Sequence, residues 1–548
     1  MTAKSDRASI LRELADLLEI RGASTEVKAL RAASDVRTLA ALDTADRLIA
    51  SLLRDLQADD WNRALQRARA AVPSLIRNLL QQDVVQSAEA SRLVRQLGVA
   101  TLADLNLALD DGRISRLGAV LVDRLSAYAE AADPAAIPLG RALDLVGDVA
   151  NEIQLTAVIE GAPDRLTFEP SGDIRRFDPV VASVVIVARS DDPAWTVNLI
   201  AKSAAVSNPL HRSPRRIMFD FRRTEIDVRV PAPDEYGTVL FTTTGSRGHH
   251  NAMRPRRSRA TLCAREEHVY VEAGLPWIAP ELREGTGEVE AAALGRLPGL
   301  VEGRHIRGDL HMHSTYSDGR DTLEAMIDAA DALGYEYVAI TDHSQTAGAS
   351  RTLTIGDIPR QRDEIARLRE RSSGMFILHG VEVDILPNGR LDFDDKILER
   401  FDIVLASLHD HAGHDGARLT RRCLGAIRHP LVNVICHPEN RVMGRREGYP
   451  LDFAAISEAA AQTGTALEID GAPGHLDLEG ARARAAAAAG AVFTIDSDCH
   501  RAASLQRNMH LGVGIARRGW IEPAQVLNTR PLADVLAFIG AKRRRGGW

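Results

Sequence analysis

Hydrophobic residues change their rhythm twice along this 548-residue chain. Near the start, Ile10, Leu11, Leu14, Leu17 and Leu18 recur at helical spacing, and residues 93–97 and 102–109 continue the pattern. Residues 1 to about 130 therefore predict helices. From about 140 to 290 the texture shifts. The apolar run 180–188 predicts one buried strand, and 225–230 alternates as a strand with one polar face does. A glycine-rich, acidic joint follows at 284–303. Beyond it, short apolar segments at 337–341, 376–378, 403–407, 432–436, 466–469 and 492–495 are separated by helical stretches such as 323–333 and 453–463. Repeated strand–helix units predict a parallel barrel or a doubly wound sheet. In either, chemistry sits at the carboxyl ends of the strands.

Composition narrows the class. Hydrophobic residues make up 45% of the chain, so sizeable cores form, and the length suits three or four domains. No run of 18 apolar residues occurs, and the first residues lack the apolar stretch of a secretory leader. The four cysteines (Cys263, Cys423, Cys436, Cys499) have no paired spacing and read as reduced thiols of a cytoplasmic protein. A net charge of −7 is not the basic balance of a dedicated nucleic-acid binder. The basic clusters at 212–216, 254–259 and 542–545 read as solvated surface.

Chemistry concentrates in the last 240 or so positions. His311-x-His313, Asp318, His343, Glu382, His409, His437 and Asp498-x-His500 fall at or just after predicted strands. A lone His-x-His means little. Here two such i, i+2 pairs stand at the first and last strands, which neighbour each other in a closed barrel, and period-two alternation puts both members of a pair on one face. Glu382 stands among apolar strand residues, where an unpaired carboxylate is costly and a cation relieves it. Imidazole with carboxylate suits zinc, manganese or iron. The remaining loop histidines, His411, His414 and His475, fall outside the pattern.

The stretches Gly308-Asp309-Leu310-His311-Met312-His313-Ser314-Thr315-Tyr316-Ser317-Asp318-Gly319, Thr341-Asp342-His343-Ser344, Gly380-Val381-Glu382, Ser407-Leu408-His409, His437-Pro438 and Asp496-Ser497-Asp498-Cys499-His500 resemble, in order, the motifs of the PHP (polymerase and histidinol phosphatase) superfamily. The resemblance implies a distorted (β/α)7 barrel holding two or three divalent ions. It places His311, His313, Glu382 and Asp498 on one ion. Asp318, His343 and His500 fall on a second, and Glu382, His409 and His437 on a third, with Glu382 bridging. Divalent ions lower the pKa of bound water and offset charge on a phosphoryl group, so phosphoester hydrolysis is the expected reaction. Glu382, Asp498 and His343 are expected at its centre. Asp342 is a candidate to orient a neighbouring ligand. Arg351 and Arg441 are candidate phosphate clamps, because a guanidinium grips phosphate at two points.

The front half resembles the bacterial family-X DNA polymerases, which carry a PHP domain at their C-terminus. Residues 10–19, Ser171-Gly172-Asp173-Ile174-Arg175-Arg176, Glu225-Ile226-Asp227-Val228-Arg229-Val230, Thr244-Gly245-Ser246 and the segment 274–283 carry that likeness. The expected fold is multidomain, α followed by α/β. Residues 1–85 form a helical domain, 86–140 an altered helix-hairpin-helix region, 141–290 a nucleotidyltransferase palm and thumb, and 305–540 the PHP domain. Family-X polymerisation needs an Asp-x-Asp pair and a third aspartate to hold two magnesium ions. Here the pair falls at Ser183 and Val185, and Asp227 alone matches the third, so no templated nucleotide addition is expected. No Gly-x-Gly hairpin turn occurs between 60 and 95, so the front domains should grip DNA phosphate less firmly. The implied activity is a metal-dependent 3′–5′ exonuclease or 3′-end-processing phosphoesterase acting on DNA. The alternatives are a small-molecule phosphomonoesterase of the histidinol-phosphatase type and a non-catalytic repair scaffold.

Overall fold

The computed structural model describes residues 2–32, 46–131, 136–162, 166–256, 261–371 and 374–546. They divide into two compact units. The first comprises Met1–Ala136, Ala142–Ile174 and Ala182–Trp277; the second comprises Ile137–Arg141, Arg175–Val181 and Ile278–Trp548. The chain thus enters the second unit twice, briefly, before it stays there. Residues 1–85, all of 86–140 but its last four positions, and most of 141–290 fall in the first unit.

The first unit begins with short helices whose apolar faces make one core from Leu14, Leu18, Ile49, Leu52, Ile76, Leu79 and Leu93. Local chemistry sets their ends. Asp46 accepts from the N–H groups of Leu48 and Ile49 at the start of helix Arg47–Gln57. Thr101 and Asp104 form a reciprocal capping box on helix Leu102–Asp110. Helices Ser74–Gln81 and Ser87–Leu97 are joined by a turn in which Asp83 takes a left-handed backbone (φ 54°). A carboxylate side chain therefore occupies a position where glycine would leave the backbone open.

Five strands follow in this unit, β2 (Thr167–Ser171), β4 (Val184–Arg189), β5 (Pro209–Ser213), β6 (Arg216–Phe221) and β7 (Thr224–Arg229), in the order β2-β4-β7-β6-β5. Only the β4–β7 pair is parallel. The single strand expected over 180–188 is two. Val180–Val181 is β3, which pairs antiparallel with β1 (Ile137–Pro138) within the second unit, whereas β4 belongs to the first. The break has a local cause, since the Ala182 N–H donates to the Asp173 carboxylate at 2.8 Å. That bond takes Ala182 out of the ladder.

The second unit is a parallel sheet of seven strands: β8 (Gly308–Asp309), β9 (Tyr337–Ile340), β10 (Phe376–Asp384), β11 (Ile403–Ser407), β12 (Val434–Ile435), β13 (Ala466–Asp470) and β14 (Phe493–Asp496), in sequence order. It closes nearly into a barrel. Strands β8 and β14 are too short to make a ladder, and the seam between them is stitched by side chains. Asn528 donates to the carbonyls of Gly308 (2.9 Å) and Ile495 (2.6 Å) and accepts from the Ile495 N–H (3.0 Å). Asp496 accepts from the Leu310 N–H at 2.8 Å. One further bridge pairs Met312 with Cys499 above the strand ends.

Two basic clusters depart from the surface reading. Arg216 is buried between two aspartates, and Lys542 is 4% exposed, donating to the carbonyls of Ile427 (2.8 Å) and Val432 and to the Thr465 hydroxyl. Burial pushes the Lys542 ammonium down to about 7. Both donate to acceptors distant in the sequence, a pairing invisible in the local sequence. The third cluster, 254–259, lies partly outside the described residues. No described helix is long and apolar enough to cross a membrane, and all four cysteines are buried thiols outside any disulfide.

Candidate metal centre

The barrel gathers all nine residues at the carboxyl ends of its strands. The Met312–Cys499 bridge is the key to the seam side. Met312 and Cys499 turn outward into an apolar layer with Leu323, Met326 and Val338. Alternation then sends their neighbours His311, His313, Asp498 and His500 inward. The two i, i+2 pairs thus face each other just beyond β8 and β14. His343 follows β9 and bridges to Glu382 on β10, while His409 and His437 follow β11 and β12.

Glu382 is the hub. Its Oε2 lies 3.4 Å from His311 Nε2, 3.5 Å from His313 Nε2 and 2.8 Å from His343 Nδ1; its Oε1 lies 3.2 Å from His409 Nε2 and 2.9 Å from His437 Nε2. Asp498 Oδ1 stands 3.0 Å from His313 Nε2, and Asp318 Oδ1 stands 3.2 Å from His500 Nε2 and 3.5 Å from His343 Nε2. Four groups have ligand atoms clustered closely enough to share an ion. They are His313, Asp318, His343 and His500; His311, His313 and Asp498; His343, Glu382 and His409; and His311, Glu382, Cys436 and His437. These groupings differ from the partition read from sequence: His311, His313, His343 and Glu382 each fall in two groups, Glu382 is not grouped with His313 and Asp498, and Cys436 is added.

The donor set fits divalent ions. Glu382 Oε2, Asp318 Oδ1 and His343 Nδ1 are buried without a hydrogen-bond partner, although an oppositely polarised atom is near each. The Nε2 atoms of His311 and His313 face each other at 3.1 Å. Atoms that are close yet misaligned for hydrogen bonds are what a shared cation would satisfy. Electrostatics agree. Burial alone would raise the Glu382 carboxyl, but the imidazoles of His343 and His409 hold it well below the carboxylate range. Burial pushes His313 down to about 3 and His437 down to about 4, whereas, against burial, Glu382 and Asp384 push His409 up to about 10 and Asp498 and Asp318 push His500 up to about 9.

A second ring of residues holds the first. Glu468 Oε1 is 2.6 Å from His311 Nδ1, and its other oxygen accepts the His437 N–H at 2.7 Å. Asp384 Oδ1 is 2.7 Å from His409 Nδ1. Asp342 accepts from the backbone and hydroxyl groups of Ser314 and Ser317 and from Gln361, fixing the loop that carries Asp318. Each anchor leaves the opposite ring nitrogen or loop atom to face the centre. Glu468 and Asp384 were missed from sequence, yet the signal used for Glu382, a carboxylate within an apolar strand, marks both.

The other expected residues are placed as follows. Arg351 is exposed and donates to the Thr315 carbonyl at 2.7 Å, beside the loop of Asp318. Arg441 is 9% exposed, and two of its guanidinium nitrogens are held by the carbonyls of His475 and Leu476, so it braces a loop. In the first unit, Val185 is buried opposite Asp227 in the β4–β7 register, and Ser183 precedes β4. Arg216 grips Asp227 through Nε (2.8 Å) and Nη2 (2.9 Å), and Arg229 Nε adds a third bond at 2.8 Å. Both arginines also hold Asp104.

A barrel of this topology with this donor set defines a metal-dependent phosphoesterase, and the family described as "PHP domain" matches residues 309–436. The likeness extends well past that domain. The DNA polymerase/3′-5′ exonuclease PolX of Bacillus subtilis is 30% identical over 98% of this chain and 99% of its own length. The chain therefore belongs to the bacterial PolX family of family-X polymerases with a C-terminal PHP domain. A probable phosphatase of Syntrophotalea carbinolica is 31% identical over 42% of this chain and 95% of its own. Among solved structures, the histidinol phosphate phosphatase of Lactococcus lactis, complexed with zinc, L-histidinol and phosphate, is 20% identical, covers 39% of this chain and 93% of its own, and has a TM-score of 0.31.

Proposed function

We propose that this chain is a metal-dependent 3′–5′ exonuclease or 3′-end-processing phosphoesterase of DNA, and that its polymerase-like unit adds no nucleotides. The observation that carries the hydrolytic half is the buried carboxylate Glu382 with five imidazole nitrogens within 3.5 Å and no hydrogen bond on Oε2. His311, His313, Asp318, His343, Glu382, His409, His437, Asp498 and His500 would hold two or three divalent ions, manganese first, with zinc and iron as the other fits. Bound there, such ions supply an activated water and charge neutralisation for phosphoryl attack.

The chain's own residues do the rest. Glu468 and Asp384 fix the ring orientation of His311 and His409. Arg351, and the guanidinium nitrogen of Arg441 that does not brace the loop, would steady the phosphate. Loss of polymerisation is supported by Asp227, the one remaining carboxylate of the expected triad, because Arg216 and Arg229 already neutralise it. Buried Val185 stands where a magnesium ligand would be needed. Asp83 in the helical hairpin turn weakens phosphate binding there. The cytoplasm, where thiols stay reduced, is the proposed setting.

The test uses purified protein with manganese and a 5′-labelled primer–template, with and without nucleotides, beside His311→Ala. Shortening that is lost in the variant, with no extension by either protein, is the expected result. Extension would overturn the reading of the front unit. Neither shortening nor extension would favour a small phosphomonoester, the activity class of the phosphatase relatives that match the barrel alone.

A further inference from the structure

One side chain outside the nine shares the rim of the centre. His475 lies in the loop after β13, and its ring stacks on the His437 imidazole with centroids 5.5 Å apart and planes at 24°. Its Nδ1 is 2.8 Å from the Arg441 carbonyl oxygen. A carbonyl only accepts, so Nδ1 is the donor, and in the neutral ring Nε2 keeps its lone pair. No hydrogen bond from a described residue reaches Nε2, and that atom is not among the buried unpaired ones, so it is open to an incoming group.

The loop is fixed in place. Met443 N–H donates to the Gly474 carbonyl (2.9 Å), Arg441 Nε to the His475 carbonyl (3.1 Å), and Glu439 N–H to the Asp477 carboxylate (3.1 Å). Two strand-end loops, those after β12 and β13, are thereby zipped into one wall. The charged groups that His475 senses through space are Asp498, His409 and Glu382, all of the centre. A ring held at its backbone and at one nitrogen, with the other nitrogen free beside the ligands, is preorganised to meet substrate.

We propose that His475 Nε2 accepts a hydrogen bond from the 3′-terminal sugar hydroxyl of the bound strand and so makes a free 3′-hydroxyl end the preferred substrate. This rests on the exonuclease reading. In that reaction the scissile phosphate meets the centre, and the nucleotide being released carries a hydroxyl donor on its sugar. An unprotonated Nε2 is complementary to that donor. It has nothing to give a 3′-hydrogen end and repels a 3′-phosphate.

The experiment compares kcat/KM of the manganese-loaded full chain on 5′-labelled oligonucleotides ending in 3′-hydroxyl or 3′-hydrogen, for wild type, His475→Phe and His475→Gln, with metal content measured for each. Wild type should favour the hydroxyl end about tenfold, the scale of one neutral hydrogen bond. His475→Phe, which keeps an aromatic ring over His437, should bring the ratio close to one at unchanged metal content. His475→Gln, with an acceptor oxygen, should retain part of the preference. An unchanged ratio in His475→Phe, an equal slowing of both ends, or a wild type that cuts both ends alike overturns the assignment while leaving the exonuclease reading standing. A wild type that cuts neither end overturns both.

Discussion

Glu382 touches more of the centre than any other residue, so its charge is the sharpest single test. Glu382→Gln keeps the shape and removes the anion. Metal stoichiometry should fall and hydrolysis should drop by at least about a thousandfold, the scale of losing a group that organises the transition-state charge. Asp384→Asn and Glu468→Gln are subtler. Each should weaken metal binding about 10–100-fold by loosening an imidazole, read by titration with manganese. His379 gives a pH prediction away from the ligands. It is buried, donates to or accepts from Gln361 at 3.0 Å, and burial pushes it down to about 4. The unfolded chain binds its proton below about 6.5 while the folded one does not, so stability is full above 6.5 and is lost as pH falls from there to 4. Melting temperature should decline over that window, and His379→Asn should flatten the decline. At this scale the nine ligand positions were legible because they come in pairs and at strand ends. His475 was not, because nothing in a loop sequence says which carbonyl a ring will find.

Strands and their connections were read with uneven success for a physical reason. The barrel strands are buried on both faces, and continuous apolar runs announce them. The break between β3 and β4 depends on the Asp173 carboxylate, nine residues earlier, which no periodicity registers. The closing seam is equally silent in the sequence, since Asn528 lies 33 positions beyond Ile495. Its amide does the pairing that two short strands cannot. Asn528→Leu would leave the Gly308 and Ile495 carbonyls and the Ile495 N–H buried without partners. Unsatisfied buried groups cost about 1–3 kcal/mol each, so a loss of several kcal/mol is expected in chemical denaturation. A midpoint unchanged from wild type would show that the seam is held by other means.

Across the whole molecule, the two units differ in how many of the expected metal-binding positions carry a donor. The hydrolytic centre keeps every expected donor, whereas the polymerase-like sheet has turned its last catalytic-type aspartate into part of an Arg216–Asp227–Arg229–Asp104 network. Breaking such a buried network by removing one partner costs about 3–5 kcal/mol. Arg216→Met should therefore lower the melting temperature markedly while the metal content of the folded protein stays the same. Preserved stability would mean that Asp104 and Asp227 find other donors.

The path of the chain ties the coding sequences of the two units together. Phe177, within the short segment Arg175–Val181, packs so tightly on helix Leu505–Arg518 that a methyl group at Gly514 would lie 1.8 Å from its ring. Residues 137–141 and 175–181 are pieces of the hydrolytic unit encoded inside the gene for the other. A single deletion that removes the whole first unit also removes those two pieces. Ribosomes also make residues 175–181 more than 300 residues before helix Leu505–Arg518, on which Phe177 packs. A truncation that keeps only Ile278–Trp548 therefore leaves the hydrolytic unit without residues 137–141 and 175–181.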